Sequence, residues 1–205
     1  MIASIAGQPA EFAAAAEQVR SAELRSELAT REIPAPERIA PRSVAFAAGV
    51  TRGPRRDADD ASVDSPYGAG RFVLMHDPDS AAEWGGPFRI VCFAQAPLEV
   101  EIGVDPFISD VAWSWLVDAL ETRGAEYEFI SGTATKTLST GFGSLEDQGD
   151  GAQIELRASW TPLGTDFDAH IRAWSELLCL LAGLPHQEGV DSLAARRAAR
   201  TNGGA

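Results

Sequence analysis

Apolar positions along this chain recur with a helical period in three places and with a strand period through most of the remainder. Val111, Trp113, Leu116, Val117 and Leu120 follow Asp105, Pro106 and Ser109, which supply first-turn acid, an early proline and a capping hydroxyl, and Arg123 and Gly124 then close the helix. His170, Trp174, Leu177 and Leu181 form a second stripe, spaced four, three and four, on a helix that starts near Thr165 or Asp166 and stops at Gly183 and Pro185. The alanine-rich stretch from Pro9 to about Leu28 carries Phe12, Val19, Leu24 and Leu28, which predicts a moderately amphipathic helix that is packed or faces a partner.

Strands are read from period two. Ala152, Ile154, Leu156, Ala158 and Trp160 alternate with Gln153, Glu155, Arg157 and Ser159, one buried face against one wet face. Tyr127 to Thr140 is the expected partner strand, with Phe129, Ser131, Thr133, Thr135, Thr137 and Ser139 on one side of its pleat. Val44, Phe46, Ala48 and Val50 alternate as well. Arg71 to Asp77 and Phe88 to Gln95 are apolar on both faces, so they are expected at the centre of the sheet and covered on each side. Val100 to Val104 reads as a further short strand whose wet face carries Glu99 and Glu101, and Ile33 to Pro41 as an extended, proline-stiffened connector.

The pattern predicts an α+β fold: a single domain with a mainly antiparallel sheet of about five strands and helices packed on one face. Its expected divisions are an N-terminal helix over 1–30, the α+β domain over 31–185 with a mobile acidic loop at 51–70, and a flexible tail over 186–205.

At 205 residues and 45% hydrophobic content the chain is able to bury one sizeable core. A net charge of −13 argues against direct nucleic-acid binding and against an anionic membrane surface, although a local basic patch would escape that average. Two cysteines, Cys92 and Cys179, both in apolar runs, form neither a disulfide framework nor a zinc site, and fit a reducing cytoplasm. No run approaches the length of a membrane span, and the N-terminus lacks the basic start and long apolar core of a secretory signal. No cofactor motif is present. Asp57, Asp59, Asp60 and Asp64 lack the spacing and closing glutamate of a calcium loop, so no metal site is expected.

The strings Ile33 to Pro41, Leu74-Met-His-Asp-Pro78, Trp113-Ser-Trp-Leu116, Arg157-Ala-Ser-Trp-Thr-Pro162, Trp174 to Cys179 and Ala182-Gly-Leu-Pro185 carry a resemblance. Over roughly Glu32 to Pro185 the chain resembles the actinobacterial family catalogued as domain of unknown function three thousand. The resemblance implies a bacterial cytoplasmic protein and carries no catalytic residue over to this sequence.

Candidate chemistry therefore comes from single residues. His76, at the end of an apolar strand beside Asp77, has the composition of an acid-base pair, but neighbours on a strand point to opposite faces and Asp-Pro is a turn initiator. Neither Ser131 nor Ser159 has a nucleophile-elbow pattern around it. His170 reads as a core histidine and His186 as exposed. Trp113 and Trp115 lie about 200° apart around their helix, so one of them needs a partner other than the sheet; Trp115 is the candidate interaction anchor. Trp84 sits in a Gly-rich turn as a cover or a plug, and Thr133 and Thr135 line a hydroxyl ladder that serves cross-strand pairing or a ligand groove. The reading is a non-enzymatic binding or interaction module with a protein partner. The alternatives are an enzyme or small-molecule binder with a pocket of His76, Trp84 and Thr133 to Thr137, and a structural homodimer.

Overall fold

The computed structural model describes residues 9–51 and 63–186. Its elements run α1 (Ala10–Ser21), β1 (Leu28–Ile33), β2 (Arg42–Val50), β3 (Ala69–His76), α2 (Ala81–Trp84), β4 (Phe88–Leu98), α3 (Val100–Gly103), α4 (Ile108–Thr122), β5 (Tyr127–Thr140), β6 (Asp150–Pro162) and α5 (Phe167–Leu181). The six strands form one sheet in the order β1-β2-β3-β4-β6-β5 with every neighbouring pair antiparallel. The fold is α+β, as the periodicities predict. Residues 1–8, 52–62 of the expected acidic loop and 187–205 of the expected tail lie outside the described residues.

The core lies on one side of the sheet. Even-numbered residues of the strands, among them Phe46, Phe72, Leu74, Ile90, Cys92, Ile154, Leu156 and Trp160, meet Phe12 and Val19 of α1, Leu116 and Leu120 of α4, and the inner face of α5. Every residue of α5 is buried except Asp168 and Arg172. The Asp166 carboxylate starts the helix by accepting from the Ala169 amide at 3.2 Å. Trp174 lies so close over Gly70 that a Cβ built there would stand 3.0 Å from its ring and 2.9 Å from the Phe93 carbonyl, so the strand needs glycine at that point.

Two elements differ from the sequence pattern. The N-terminal helix stops at Ser21, and Leu28–Ile33 is an edge strand paired with β2. The cause is Arg25, whose buried guanidinium donates to Glu27, to Glu176 of α5 at 3.2 Å and to the Pro185 carbonyl at 2.8 Å, which draws the chain off the helix axis. Nothing local to the sequence marks those distant acceptors. The expected strand at Val100 to Val104 is instead the single helical turn α3: the Glu99 carbonyl accepts from Ile102 at 3.0 Å and Gly103 at 2.9 Å, and Gly103 packs against Ala152. Glu99 and Glu101 are consequently on an exposed turn, not on the face of a strand.

The second sheet face also departs from expectation. Among the described residues only a small cluster covers it, in which Ala45, Val73 and Met75 meet Ile33, Ala35, Ile39, Ala40, Trp84 and Val91. β3 and β4 are central, but the described residues do not roof them along their whole length.

The core histidine, His170, is held by the indole of Trp160. Trp160 Nε1 donates to His170 Nδ1 at 3.1 Å, and burial lowers the imidazole to about 4, from 6.5. Since protonation is favoured only in the unfolded chain over that interval, this residue contributes stability that is complete above about pH 6.5 and is lost as pH falls toward 4, about 3 kcal/mol in all. In His170→Asn, which keeps an acceptor for the indole without titrating there, unfolding free energy measured by denaturant titration is expected to fall less steeply between pH 7 and pH 4 than in the wild type. An unchanged slope would contradict this contribution of His170.

Candidate functional site

The sequence candidates separate onto the two faces of the sheet. His76 is on the helix side with no solvent exposure. Its Nε2 lies 2.8 Å from the Glu11 carboxylate, its Nδ1 3.4 Å from the Arg42 guanidinium, and its ring sits between Phe12 and Phe88. A proton on Nε2 with Nδ1 accepting satisfies both neighbours. Asp77 points elsewhere: its carboxylate accepts from the Asp79 amide at 3.1 Å and the Ser80 hydroxyl at 2.7 Å and caps the turn that follows. The two residues share no site.

Ser131 and Ser159 occupy the opposite face, their hydroxyls 3.4 Å apart, with the sheet between them and His76. Thr133 and Thr135 lie beside them, opposite Arg157 and Glu155. Trp84 is half-buried on that same face against Val73 and Met75. The pocket that would have combined His76 with Trp84 and the threonines is therefore divided by the sheet. Trp115 is half-buried against the main core, while Trp113 packs over Gly132 of β5.

What the open face brings together instead is a row of arginines around an aromatic ring. Register places Arg71 of β3 opposite Phe93 of β4, and Phe93 opposite Arg157 of β6, whose guanidinium carbon is 5.5 Å from the ring centroid. With Asp64, Ala69, Val91 and Gln95 these residues line a hollow of about 510 Å³. Asp64 pairs with Arg71 at 3.4 Å and Glu155 with Arg157 at 2.6 Å. Both pairs are substantially exposed, and such contacts contribute at most about 1 kcal/mol, so an incoming anion competes with them at little cost.

One end of this face is built around Arg89. Its terminal nitrogens donate to Ser159 Oγ at 2.7 Å and Thr161 Oγ1 at 2.9 Å, and the Thr161 hydroxyl in turn donates to the Trp84 carbonyl. Partial burial lowers the basicity of the guanidinium. Above it β5 is irregular: Glu128 pairs with Thr161 but Ser131 with Ser159, so Phe129 and Ile130 are accommodated as a bulge. Phe129 takes the left-handed conformation, with φ 50°, and its ring lies on Gly85, itself at φ 83°. A Cβ on Gly85 would stand 2.2 Å from that ring, so glycine is required for both its torsion and its contact.

Sequence reasoning did not find Arg71, Arg89 or Phe93. Arg157 was visible as a wet-face residue, but the row exists only once β3, β4 and β6 are in register. The available signal was that Arg89, Phe93 and Gln95 alternate with the core residues of β4.

The other polar concentration is internal to the helix layer. Arg25 and Arg123 both bond the Glu176 carboxylate, Arg123 at 3.1 Å, and Arg172 bonds Asp168 at 3.3 Å. These arginines line a hollow of about 270 Å³, but carboxylates of the chain already hold their guanidinium groups. Among the described residues no group of three or more His, Cys, Asp and Glu side chains is placed to hold a metal ion, and no helix is long and apolar enough to cross a membrane.

Neither thiol is activated. Burial pushes Cys92 and Cys179 up to about 12, where the thiolate needed for nucleophilic attack is scarce. Iodoacetamide at pH 8 is expected to leave the native protein unlabelled and to add two groups once the chain is unfolded in guanidinium, counted by intact mass. Rapid labelling of the native protein would contradict the sealed geometry.

Comparison with known proteins assigns the family and goes no further. No curated protein and no solved structure matches the chain. The model of the family described as protein of unknown function DUF3000 matches residues 8–191, nearly all of the fold and both faces just described; the chain belongs to that family.

Proposed function

We propose that this protein is a non-enzymatic binding module that takes a small anionic ligand on the uncovered face of its sheet. The observation that carries the reading is the row Arg71–Phe93–Arg157 over a hollow of about 510 Å³. An aromatic floor between guanidinium groups offers a stacking surface and charge complementarity together. The net charge of −13 disfavours an extended polyanion, whose many phosphates would feel the whole molecule, far more than a ligand with one or two charges that feels mainly its own site.

A binding role also accords with the chemistry of the side chains. His76 and His170 are themselves buried and held by Glu11 and Trp160, and both cysteine thiols are protonated and enclosed. Free buried thiols suit a cytoplasmic setting.

Native mass spectrometry of the protein isolated rapidly from its own cells provides the test. The expected result is an adduct of small mass that is lost in folded Phe93→Ala and Arg157→Gln variants and kept in Trp115→Ala. An adduct that survives both face substitutions but disappears in Trp115→Ala would place recognition on the helix side and overturn the proposal.

A further inference from the structure

Arg89 presents a half-buried guanidinium that is positioned by the protein and has no carboxylate within ion-pair distance among the described residues. The acceptors of its two terminal nitrogens are neutral hydroxyls, at 2.7 Å and 2.9 Å. Both hydroxyls are oriented. Thr161 spends its proton on the Trp84 carbonyl and so must accept from Arg89, while Ser159 accepts from Arg89 with its hydroxyl 3.4 Å from that of Ser131. Arginine has five N–H donors in a planar fork, and these contacts use one on each terminal nitrogen. A fixed cation with donors to spare is a poor choice for stability alone, because partial burial costs solvation that no opposite charge returns.

The surroundings are also preformed. The Trp84-Gly85-Gly86 turn and the exposed Phe129 ring, 61% accessible and held on Gly85, stand at this end of the face. A left-handed non-glycine residue in a strand bulge is a strained feature, retained here where it sets an aromatic side chain beside the arginine end of the sheet. Along β4, Arg89 and Phe93 are separated by four residues, about 13 Å at strand rise, and Val91 lies between them on the same side.

We propose that Arg89 is the anchor of an oxyanion site that holds the carboxylate or phosphoester group of a ligand whose flat apolar part lies against the Trp84 to Gly86 turn and Phe129. The proposal rests on the binding role assigned to this face and adds its chemical class and its orienting residue. A bidentate contact from the free N–H groups of the fork would hold either planar carboxylate or phosphate oxygens. Ser159 and Thr161 are positioning residues: they lock the guanidinium plane and do not themselves need to touch the ligand.

The test uses benzoate and phenyl phosphate as probes on the full chain, with affinity measured by calorimetry and the Arg89 Nε–H resonance followed by NMR. Wild-type protein is expected to bind at least one probe in the millimolar range or better, with the Arg89 resonance moving on titration; preference between the two identifies carboxylate or phosphoester as the natural group. Arg89→Gln is expected to weaken binding at least tenfold, and Arg89→Lys, which keeps the charge and loses the fork, to lie between. Binding of neither probe at 10 mM, or equal binding by Arg89→Gln, would overturn the proposal. So would a wild-type titration in which the Arg89 resonance stays fixed, a readout that does not depend on any variant folding. Loss of the cellular adduct in Phe93→Ala and Arg157→Gln, together with no effect of Arg89→Gln, would reject this anchor while leaving the binding role of the face standing.

Discussion

The burial of α5 is the constraint from which the rest of the molecule follows. A helix whose every residue but Asp168 and Arg172 is enclosed must be surrounded by the sheet below and by α1 and α4 at its sides. Trp174 presses on Gly70 and donates to the Phe93 carbonyl at 3.1 Å, while Glu176 gathers Arg25 and Arg123 from the chain segments on either flank. Each large apolar side chain so enclosed contributes roughly 1.5–3 kcal/mol, which outweighs what exposed ion pairs supply elsewhere. The buried Glu176 cluster is better understood as fixing geometry: breaking it would leave charge without a partner, although forming it carried a desolvation cost of its own.

Concentrating the helices on one side consumes the residues that look chemical in the sequence. His76 is closed under α1 by Glu11 and Phe12, and His170 is held by Trp160. Among the described residues the reverse side carries only the small cluster around Val73 and Met75. The chain from Ile33 to Ala40 and Trp84 covers the β2–β3 end, and beyond it the strands present arginine, glutamate, glutamine and hydroxyl residues with Phe93 among them. On a protein with 30 acidic and 17 basic residues, Arg71, Arg89 and Arg157 share this one face, and Asp64 and Glu155 pair with two of them.

How much of this was legible in the sequence depended on whether the determining contact was local. The stripes of α4 and α5 and the alternation in β2 and β6 are local, and they gave the fold class and the helix-covered face directly. β1 was hidden because the helix is ended by Arg25 reaching Glu176 and Pro185, far along the chain. α3 was hidden because a one-turn helix has no period to detect. The site was hidden for a third reason. Arg71, Phe93 and Arg157 come from three strands and form a row only through register, while His76 and Asp77 are adjacent in sequence and were drawn together by that adjacency alone. The bulge that carries Phe129 likewise has no signature in a run of β-forming residues.

As proposed, recognition takes place on the open face of the sheet and the helix layer is structural. Amide chemical-shift mapping by NMR, with the labelled protein titrated against the low-mass fraction of its own cell extract, tests it most directly. The amides expected to shift together are those of Arg71, Arg89, Phe93 and Arg157 and their strand neighbours, with α1 and the outer surface of α4 unchanged. Shifts confined to α1 or to the Trp115 surface of α4, with the sheet face silent, would contradict it.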